Sequence, residues 1–260
     1  MSSLALIVIP ARYGSSRFPG KPLALIAGRS LIERVYCRCI QARPAVGGVG
    51  PRIEVIVATD DQRIARHVQG FGGRVAMTRS NHPSGTDRVA EVVRARCWRD
   101  ASIIINVQGD EPLLDPRVIH RLIKIMRRNP AIPMATLCHP ITDEKEFRDP
   151  NVVKVVIDHQ GNAIYFSRSP IPHIQKPFTS HPQSSWGQAL SPLTCFRHIG
   201  IYAYRREFLL RYVRWPQSFL EKAEKLEQLR ALDRGERIRV LRTQYRAIGV
   251  DVPADIARVE

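Results

Sequence analysis

Four apolar segments in the first half of the chain, each followed by a stretch with helical periodicity, constrain the fold more than any other feature. They are Leu4–Pro10, Ile53–Ala58, Arg74–Met77 and Ser102–Val107, the last reading SIIINV. Near-continuous apolar strands separated by helices form a parallel sheet covered on both faces, because a strand with one wet face would alternate in polarity. Ser30-Leu31-Ile32-Glu33 has the form of a capping box opening a helix to about Ala42. Asp61–Gln69 reads as a short helix, and a further helix runs from about Thr86 to Cys97. Asp115-Pro116 is a favourable cap and first-turn pair for a helix reaching Arg128. The fold class read from this pattern is α/β, a doubly wound, mostly parallel, Rossmann-like sheet.

The second half changes character. Val152–Ile157 and Ala163–Ser167 flank Asp158-His159-Gln160-Gly161-Asn162 and read as a hairpin. Gly200–Tyr204 reads as a strand, Phe219–Leu232 as a helix, Ile238–Arg242 as a strand, and a short helix follows Pro253. Ile171 to Phe196, rich in Pro, Ser, His and Gln, reads as a long loop. Pro44–Pro51 (PAVGGVGP) reads as a loop between helix and strand, not a domain linker. The 260 residues are therefore expected to form a single domain over 1–260.

The five cysteines are odd in number and include no CxxC pair, so they read as reduced thiols of a cytosolic protein. No apolar run approaches the roughly 20 residues of a membrane helix, and Met1-Ser2-Ser3-Leu4 lacks the basic region of a signal peptide. A cytoplasmic location without membrane contact is expected. The net charge of +16 raises nucleic acid as a partner. Its carriers, 33 Arg and 7 Lys, are scattered from Arg12 to Arg258, with no basic tail and no aromatic-interleaved basic stripe. That distribution points away from nucleic acid and suits anionic small substrates.

Three segments carry the chemistry. "IPARYGSSRFPGKPL", Ile9 to Leu23, is a basic, glycine-containing loop directly after the first strand, where an open α/β sheet places its ligands. Five residues separate Gly14 from Gly20 and Pro22 follows Lys21, so it is not a Walker A loop, and no GxGxxG fingerprint is present. Arg12, Arg17 and Lys21 could meet a polyphosphate, with backbone amides near Gly14–Ser16 as further donors; a charged surface turn is the alternative. "NVQGDEP", ending the SIIINV strand, puts Asp110 where a carboxylate can hold Mg²⁺ beside a phosphate, or simply completes a Gly-Asp turn. "GVD" offers Asp251, or a helix cap ahead of Pro253. A basic loop and paired acids together describe a nucleotidyl-transfer site.

With those segments, "VIVATDD", "MTRSNHPSGTDRVAEV", "DPNVVKVV", "YFSRSPIP", "RHIGIYAYR", "LEKAEKLEQLRAL" and "IGVDVPADIARV" complete an ordered series over nearly the whole chain. The series resembles the 3-deoxy-manno-octulosonate (Kdo) cytidylyltransferase family, the CMP-Kdo synthetases of the nucleotide-diphospho-sugar transferase superfamily. The resemblance implies Mg²⁺-dependent activation of Kdo by CTP, giving CMP-Kdo and pyrophosphate for lipopolysaccharide biosynthesis. It also implies a homodimer, with a smaller dimerisation and sugar-binding subregion at about 150–215. Carried over by motif, Arg12, Ser16, Lys21, Arg79, Ser84, Gly85 and Gln108 bind the nucleotide. Arg12 and Lys21 act on its phosphates, Asp110 and Asp251 ligate the metal, and all four are catalytic. Gln108, Arg168, His198, Tyr202, Glu227 and Gln228 line the sugar-acid site. Arg168 suits the Kdo carboxylate, which a guanidinium can hold bidentately, and His198 could donate to a sugar oxygen. Ser16, Phe18, Val252 and Ala254 stand where the family has Thr, Leu, Thr and Glu. Another acidic sugar, such as amino-Kdo or a sialic acid, is the nearest alternative substrate.

Overall fold

In the computed structural model, residues 4–14, 18–43, 52–174 and 195–260 are described. Ser16, Arg17, the loop 44–51 and most of the expected loop 171–196 lie outside these residues. The strand β1 (Leu4–Ala11) is fully buried at every position from Ala5 to Ile9. Successive strand residues point to opposite faces, so both faces of this strand are covered, as the unbroken apolar run requires.

The elements follow in order. β1 leads to a small hairpin, β2 (Leu25–Ile26) and β3 (Arg29–Ser30), and then α1 (Leu31–Gln41). Next come β4 (Ile53–Thr59), α2 (Gln62–Gly70), β5 (Val75–Met77), α3 (Gly85–Arg94), β6 (Ala101–Asn106) and α4 (Pro116–Arg128). After these stand β7 (Met134–Pro140), α5 (Glu144–Arg148), β8 (Lys154–Ile157), β9 (Ala163–Ser167) and β10 (Phe196–Arg205). Helices at Arg206–Tyr212, Phe219–Glu224 and Leu229–Asp233, the strand β11 (Ile238–Arg242) and a 3-10 helix at Pro253–Arg258 complete the chain.

The chain folds into two compact units, the first comprising Met1–Asn129, Ile201–Arg214 and Ala247–Glu260. In it β5, β4, β1 and β6 lie side by side and parallel, and the end of β10 adds antiparallel to β6. From β1 the chain steps outward through β4 to β5, then returns to the other side of β1 with β6. The reversal falls between β1 and β6, and an open α/β sheet binds ligands outside the carboxyl ends of the strands at such a point.

The second unit comprises Pro130–Gly200 and Trp215–Arg246. Here β11 and β7 pair in parallel, β7 lies beside the first half of β10, and β10 pairs antiparallel with β8. β8 and β9 form the expected hairpin. Of the expected subregion, residues 150–200 belong to this unit and 201–214 to the first.

The sequence reading does not contain the hairpin β2–β3, α5 or the helix Arg206–Tyr212, and two further differences have clear causes. β7 is almost wholly buried, yet Ile132-Pro133 and His139-Pro140 bracket its apolar run and conceal it. The helix expected over Phe219–Leu232 is two helices, because Lys225 takes a left-handed conformation (φ 55°) that ends the first.

Candidate active site

Gly20 begins the geometry. It sits at φ 72°, and a side chain there would press on the Tyr13 ring at 3.2 Å. This turn lets the Gly20 amide donate to the Tyr13 carbonyl (2.9 Å), folding the loop back on itself ahead of the short turn Lys21–Leu23. Arg12 is exposed directly after β1. Lys21 is carried under the loop, where its Nζ donates to Asp110 Oδ2 at 2.8 Å and to Asp251 Oδ1 at 3.5 Å.

Asp110 follows β6 on a turn that passes very close to β1, for a Cβ on Gly109 would lie 3.1 Å from the Pro10 carbonyl oxygen. The Val250 amide donates to the Asp110 carbonyl at 2.9 Å, locking the C-terminal segment against that turn and presenting Asp251. Asp255 Oδ2 then accepts from the amides of Asp251 (2.8 Å) and Val252 (3.0 Å). Beneath, Ile26, Leu31, Val250 and Val259 form an apolar cluster joined by Phe18 and Ile248. Loop, β6 turn and C-terminal segment thus rest on one small core within the first unit.

The two carboxylates converge from positions 89 and 230 residues from Lys21. Their oxygens are hard donors, and a small divalent cation commonly takes one or two carboxylates plus substrate phosphate oxygens. Among the described residues no group of three or more His, Cys, Asp or Glu side chains could hold a metal by itself. The donor set fits Mg²⁺ in the company of a polyphosphate.

Other expected nucleotide residues gather around the carboxyl ends of β5 and β6 in the same unit. Ser84 caps α3, its hydroxyl accepting from the Asp87 amide (3.2 Å) and donating to Asp87 Oδ2 (2.8 Å), and Gly85 is the first helical residue. Arg79 is exposed, its amide donating to Glu91 Oε2 at 3.1 Å, and Glu91 also pairs with His82. Gln108 lies half-buried beside Gly109. Tyr202, expected in the sugar-acid site, pairs in register with Asn106, the last residue of β6.

In the second unit, Arg168 follows β9. Its Nε donates to the Glu224 carbonyl (2.9 Å) and its Nη1 to the Pro150 carbonyl (3.1 Å). Among the described residues it makes no ion pair, so two backbone carbonyls align its charge without neutralising it. Glu227 and Gln228 occupy the turn between the helices Phe219–Glu224 and Leu229–Asp233. Gln228 is buried, and its Nε2 has no hydrogen-bond partner among the described residues.

His198 differs from expectation in its chemistry. The Thr136 hydroxyl donates to the Ile199 carbonyl (3.0 Å), so its oxygen must accept from His198 Nε2–H, also at 3.0 Å. Burial pushes the imidazole pKa down to about 3, with the Arg197 charge adding to the effect. The ring is neutral and its proton-bearing nitrogen is committed to Thr136. Toward a sugar hydroxyl, Nδ1 can only accept.

Comparison with known proteins settles the family. Residues 6–238 match the cytidylyltransferase family. The chain belongs to that family. The 3-deoxy-manno-octulosonate cytidylyltransferase of Syntrophotalea carbinolica is 53% identical over 255 residues, 97% of this chain and 96% of the relative. That of Geobacter sulfurreducens is 49% identical over 97% of this chain and 96% of its own. The solved structure of a CMP:2-keto-3-deoxy-manno-octonic acid synthetase complexed with CTP superposes with a TM-score of 0.84 at 45% identity, covering 98% of this chain and 96% of that one. A cytidylyltransferase from Leptospira borgpetersenii, 13% identical with a TM-score of 0.58 over 98% of this chain and 84% of its own, shares the fold.

Beside these positions, this cytidylyltransferase buries two polar residues that motif reading does not mark. Asn106 is buried at the end of β6, donating weakly to Thr86 Oγ1 (3.5 Å), and its Oδ1 has no partner among the described residues. A polar residue closing the apolar run SIII was the available signal. Arg88, buried in α3, donates to Thr78 Oγ1 (2.6 Å) and lies 3.1 Å from Asp60 Oδ1, tying the nucleotide-side helix to the ends of β4 and β5. No local pattern marks an arginine on a helix as buried.

Proposed function

We propose that this cytidylyltransferase transfers the cytidylyl group of CTP to the anomeric 2-hydroxyl of Kdo, giving CMP-Kdo and pyrophosphate for lipopolysaccharide biosynthesis. The observation carrying this reading is the meeting of Lys21, Asp110 and Asp251 at the sheet's reversal point. A cation bridging two carboxylates beside a basic loop suits a polyphosphate and its counter-ion, and serves no apolar ligand. The near-complete coverage of relatives bearing the Kdo cytidylyltransferase name supports the choice of sugar acid.

Asp110 and Asp251 would hold Mg²⁺, which would neutralise phosphate charge and acidify a hydroxyl oriented near it. Arg12 and Lys21 would bind the β- and γ-phosphates and stabilise the charge gathering on departing pyrophosphate. With the nucleotide bound, Lys21 exchanges carboxylate partners for phosphate oxygens, freeing both acids for the metal. The amide-rich start of α3 and Arg79 would orient the nucleotide. Arg168, already aligned by backbone carbonyls, would receive the Kdo carboxylate. Gln228 Nε2 would donate to a sugar oxygen in the pocket that His198 also lines. The five free thiols and the demand for CTP support a cytoplasmic site of action.

The test is pyrophosphate release with Mg²⁺, crossing CTP, UTP and ATP against Kdo, amino-Kdo, a sialic acid and no sugar. Release with CTP and Kdo alone is the expected outcome. Release with CTP and a different acid reassigns the sugar while keeping the nucleotide site. Silence from folded protein would overturn the reading.

A further inference from the structure

Lys154 has a setting unusual for a lysine. Its side chain is fully buried in β8, although a lysine is almost never so buried without a partner. Among the described residues no carboxylate meets it directly. Instead Nζ donates to three backbone carbonyls, those of Asp149 (2.9 Å), Val152 (2.7 Å) and Arg168 (2.5 Å). Three acceptors use all three ammonium protons, so the group is bound as the cation at the centre of a backbone knot. The knot joins the turn Asp149–Val152 to the residue following β9.

Glu224 holds the same residue from the other side. Its Oε1 accepts from Ser167 Oγ at 2.5 Å and its Oε2 from the Arg168 amide at 2.9 Å, while its own carbonyl accepts from Arg168 Nε at 2.9 Å. Arg168 is therefore fixed at its amide by Glu224, at its carbonyl by Lys154, and at its guanidinium by Glu224 and by Pro150 of the turn that Lys154 ties down. Glu224 ends its helix immediately before Lys225, whose left-handed turn leads into Glu227 and Gln228. Beyond that turn of chain, the His198 amide donates to the Val153 carbonyl (2.8 Å), next to Lys154.

We propose that Lys154 and Glu224 are positioning residues for the sugar acid, holding Arg168 in the orientation that receives the carboxylate before substrate arrives. The inference rests on Arg168 being the carboxylate's partner, as proposed above. A surface arginine loses side-chain freedom when it grips a ligand; one fixed at amide, carbonyl and guanidinium has lost it on folding, so binding is correspondingly tighter. The backbone serves as acceptor because a carboxylate on the guanidinium would cancel the charge that the substrate must meet. Lys154 and Glu224 touch no substrate in this scheme. Their effect belongs to affinity for the acid and leaves the nucleotide alone.

Steady-state kinetics of Lys154→Met, Glu224→Gln and Arg168→Ala in the complete enzyme with Mg²⁺ test this, each variant first checked by thermal denaturation. Lys154→Met should raise KM for Kdo roughly tenfold to a hundredfold, as loss of a supporting shell does elsewhere, and leave KM for CTP unchanged. Glu224→Gln, which retains one acceptor, should shift the same constant in the same direction by less. Should Lys154→Met fail to fold, Glu224→Gln decides. If Arg168→Ala raises KM for Kdo while the positioning variants leave it alone, or raise both Michaelis constants together, the positioning role is overturned. If Arg168→Ala itself leaves KM for Kdo unchanged, the assignment of Arg168 fails and the positioning role with it.

Discussion

At the scale of single residues, the site depends on charges that compensate one another before substrate binds. Lys21 stands between Asp110 and Asp251, so replacing either acid leaves the lysine its other partner in the free protein, while the proposed mechanism loses a metal ligand. Asp110→Asn should lower kcat by roughly a hundredfold or more, in the range seen when a preorganised electrostatic group is lost, with the thermal midpoint nearly unchanged. Pyrophosphate release at saturating CTP checks this, and near-normal turnover would remove Asp110 from the chemistry. His198 gives a pH prediction. Its folded pKa is depressed to about 3, below an unfolded value near 6.5, so the fold favours the neutral ring. Its contribution is complete above about pH 6.5 and is lost progressively as pH falls toward 3, by at most about 1.4 kcal/mol per unit. His198→Gln, which keeps a donor for Thr136, should flatten the acid limb of a denaturation series between pH 7.5 and pH 4.5. An unaltered limb would mean that another group governs it.

At the scale of elements, two local conformations decide where functional side chains stand. The break at Lys225 turns one expected helix into two and creates the turn bearing Glu227 and Gln228. A lysine with φ near 55° is strained where glycine is not. Lys225→Gly should therefore stabilise the protein by about 0.5–1 kcal/mol, read as a raised thermal midpoint. Helix α1 is anchored at Ser30, whose Oγ accepts from the Glu33 amide (3.2 Å) and meets His67 Nε2 of α2 at 2.7 Å. Ser30→Ala should cost about 1–2 kcal/mol, above a simple cap loss, because His67 also loses its partner. Urea denaturation gives the value. The Ser30 cap of α1 was legible from four letters. The break at Lys225 was not, because every residue from Phe219 to Leu232 is compatible with a helix, and the tertiary bonds around Glu224 select the break.

At the scale of the whole molecule, charge and self-association are the properties to examine. A net charge of +16 on a protein whose proposed substrates are both anions should speed their encounter, an effect that salt screens. The kcat/KM for CTP should fall as potassium chloride rises from 20 to 300 mM (chosen to span about 20 Å to about 6 Å of screening length), with kcat changing little. An equal fall in kcat would locate the salt effect in chemistry or folding. Homodimerisation is proposed on the strength of the resemblance and of β9, which among the described residues pairs only with β8 and exposes Ile164 at 60%. Sedimentation should show a dimer at micromolar concentration, and Ile164→Lys should weaken it. No helix among the described residues is long and apolar enough to cross a membrane.

The sequence alone determined the parallel sheet, the succession of strands and helices that builds its first half, and the three charged segments that the fold brings together. Uninterrupted apolar runs can be buried only between two layers, and the basic and acidic letters stand at the strand ends where such sheets bind ligands. It did not show β7, whose proline-bracketed run has no period of its own, nor the division into two units. Only the tertiary structure brought Asp251 to Asp110, through the Val250 amide and a shared apolar cluster, since contacts so distant in sequence leave no local pattern. It alone found Lys154, for nothing in "NVVKVV" separates a lysine facing water from one whose ammonium closes three carbonyls. Local periodicity reports which face a residue occupies, whereas partners across the fold are chosen by packing and by the cost of leaving a buried polar group unpaired.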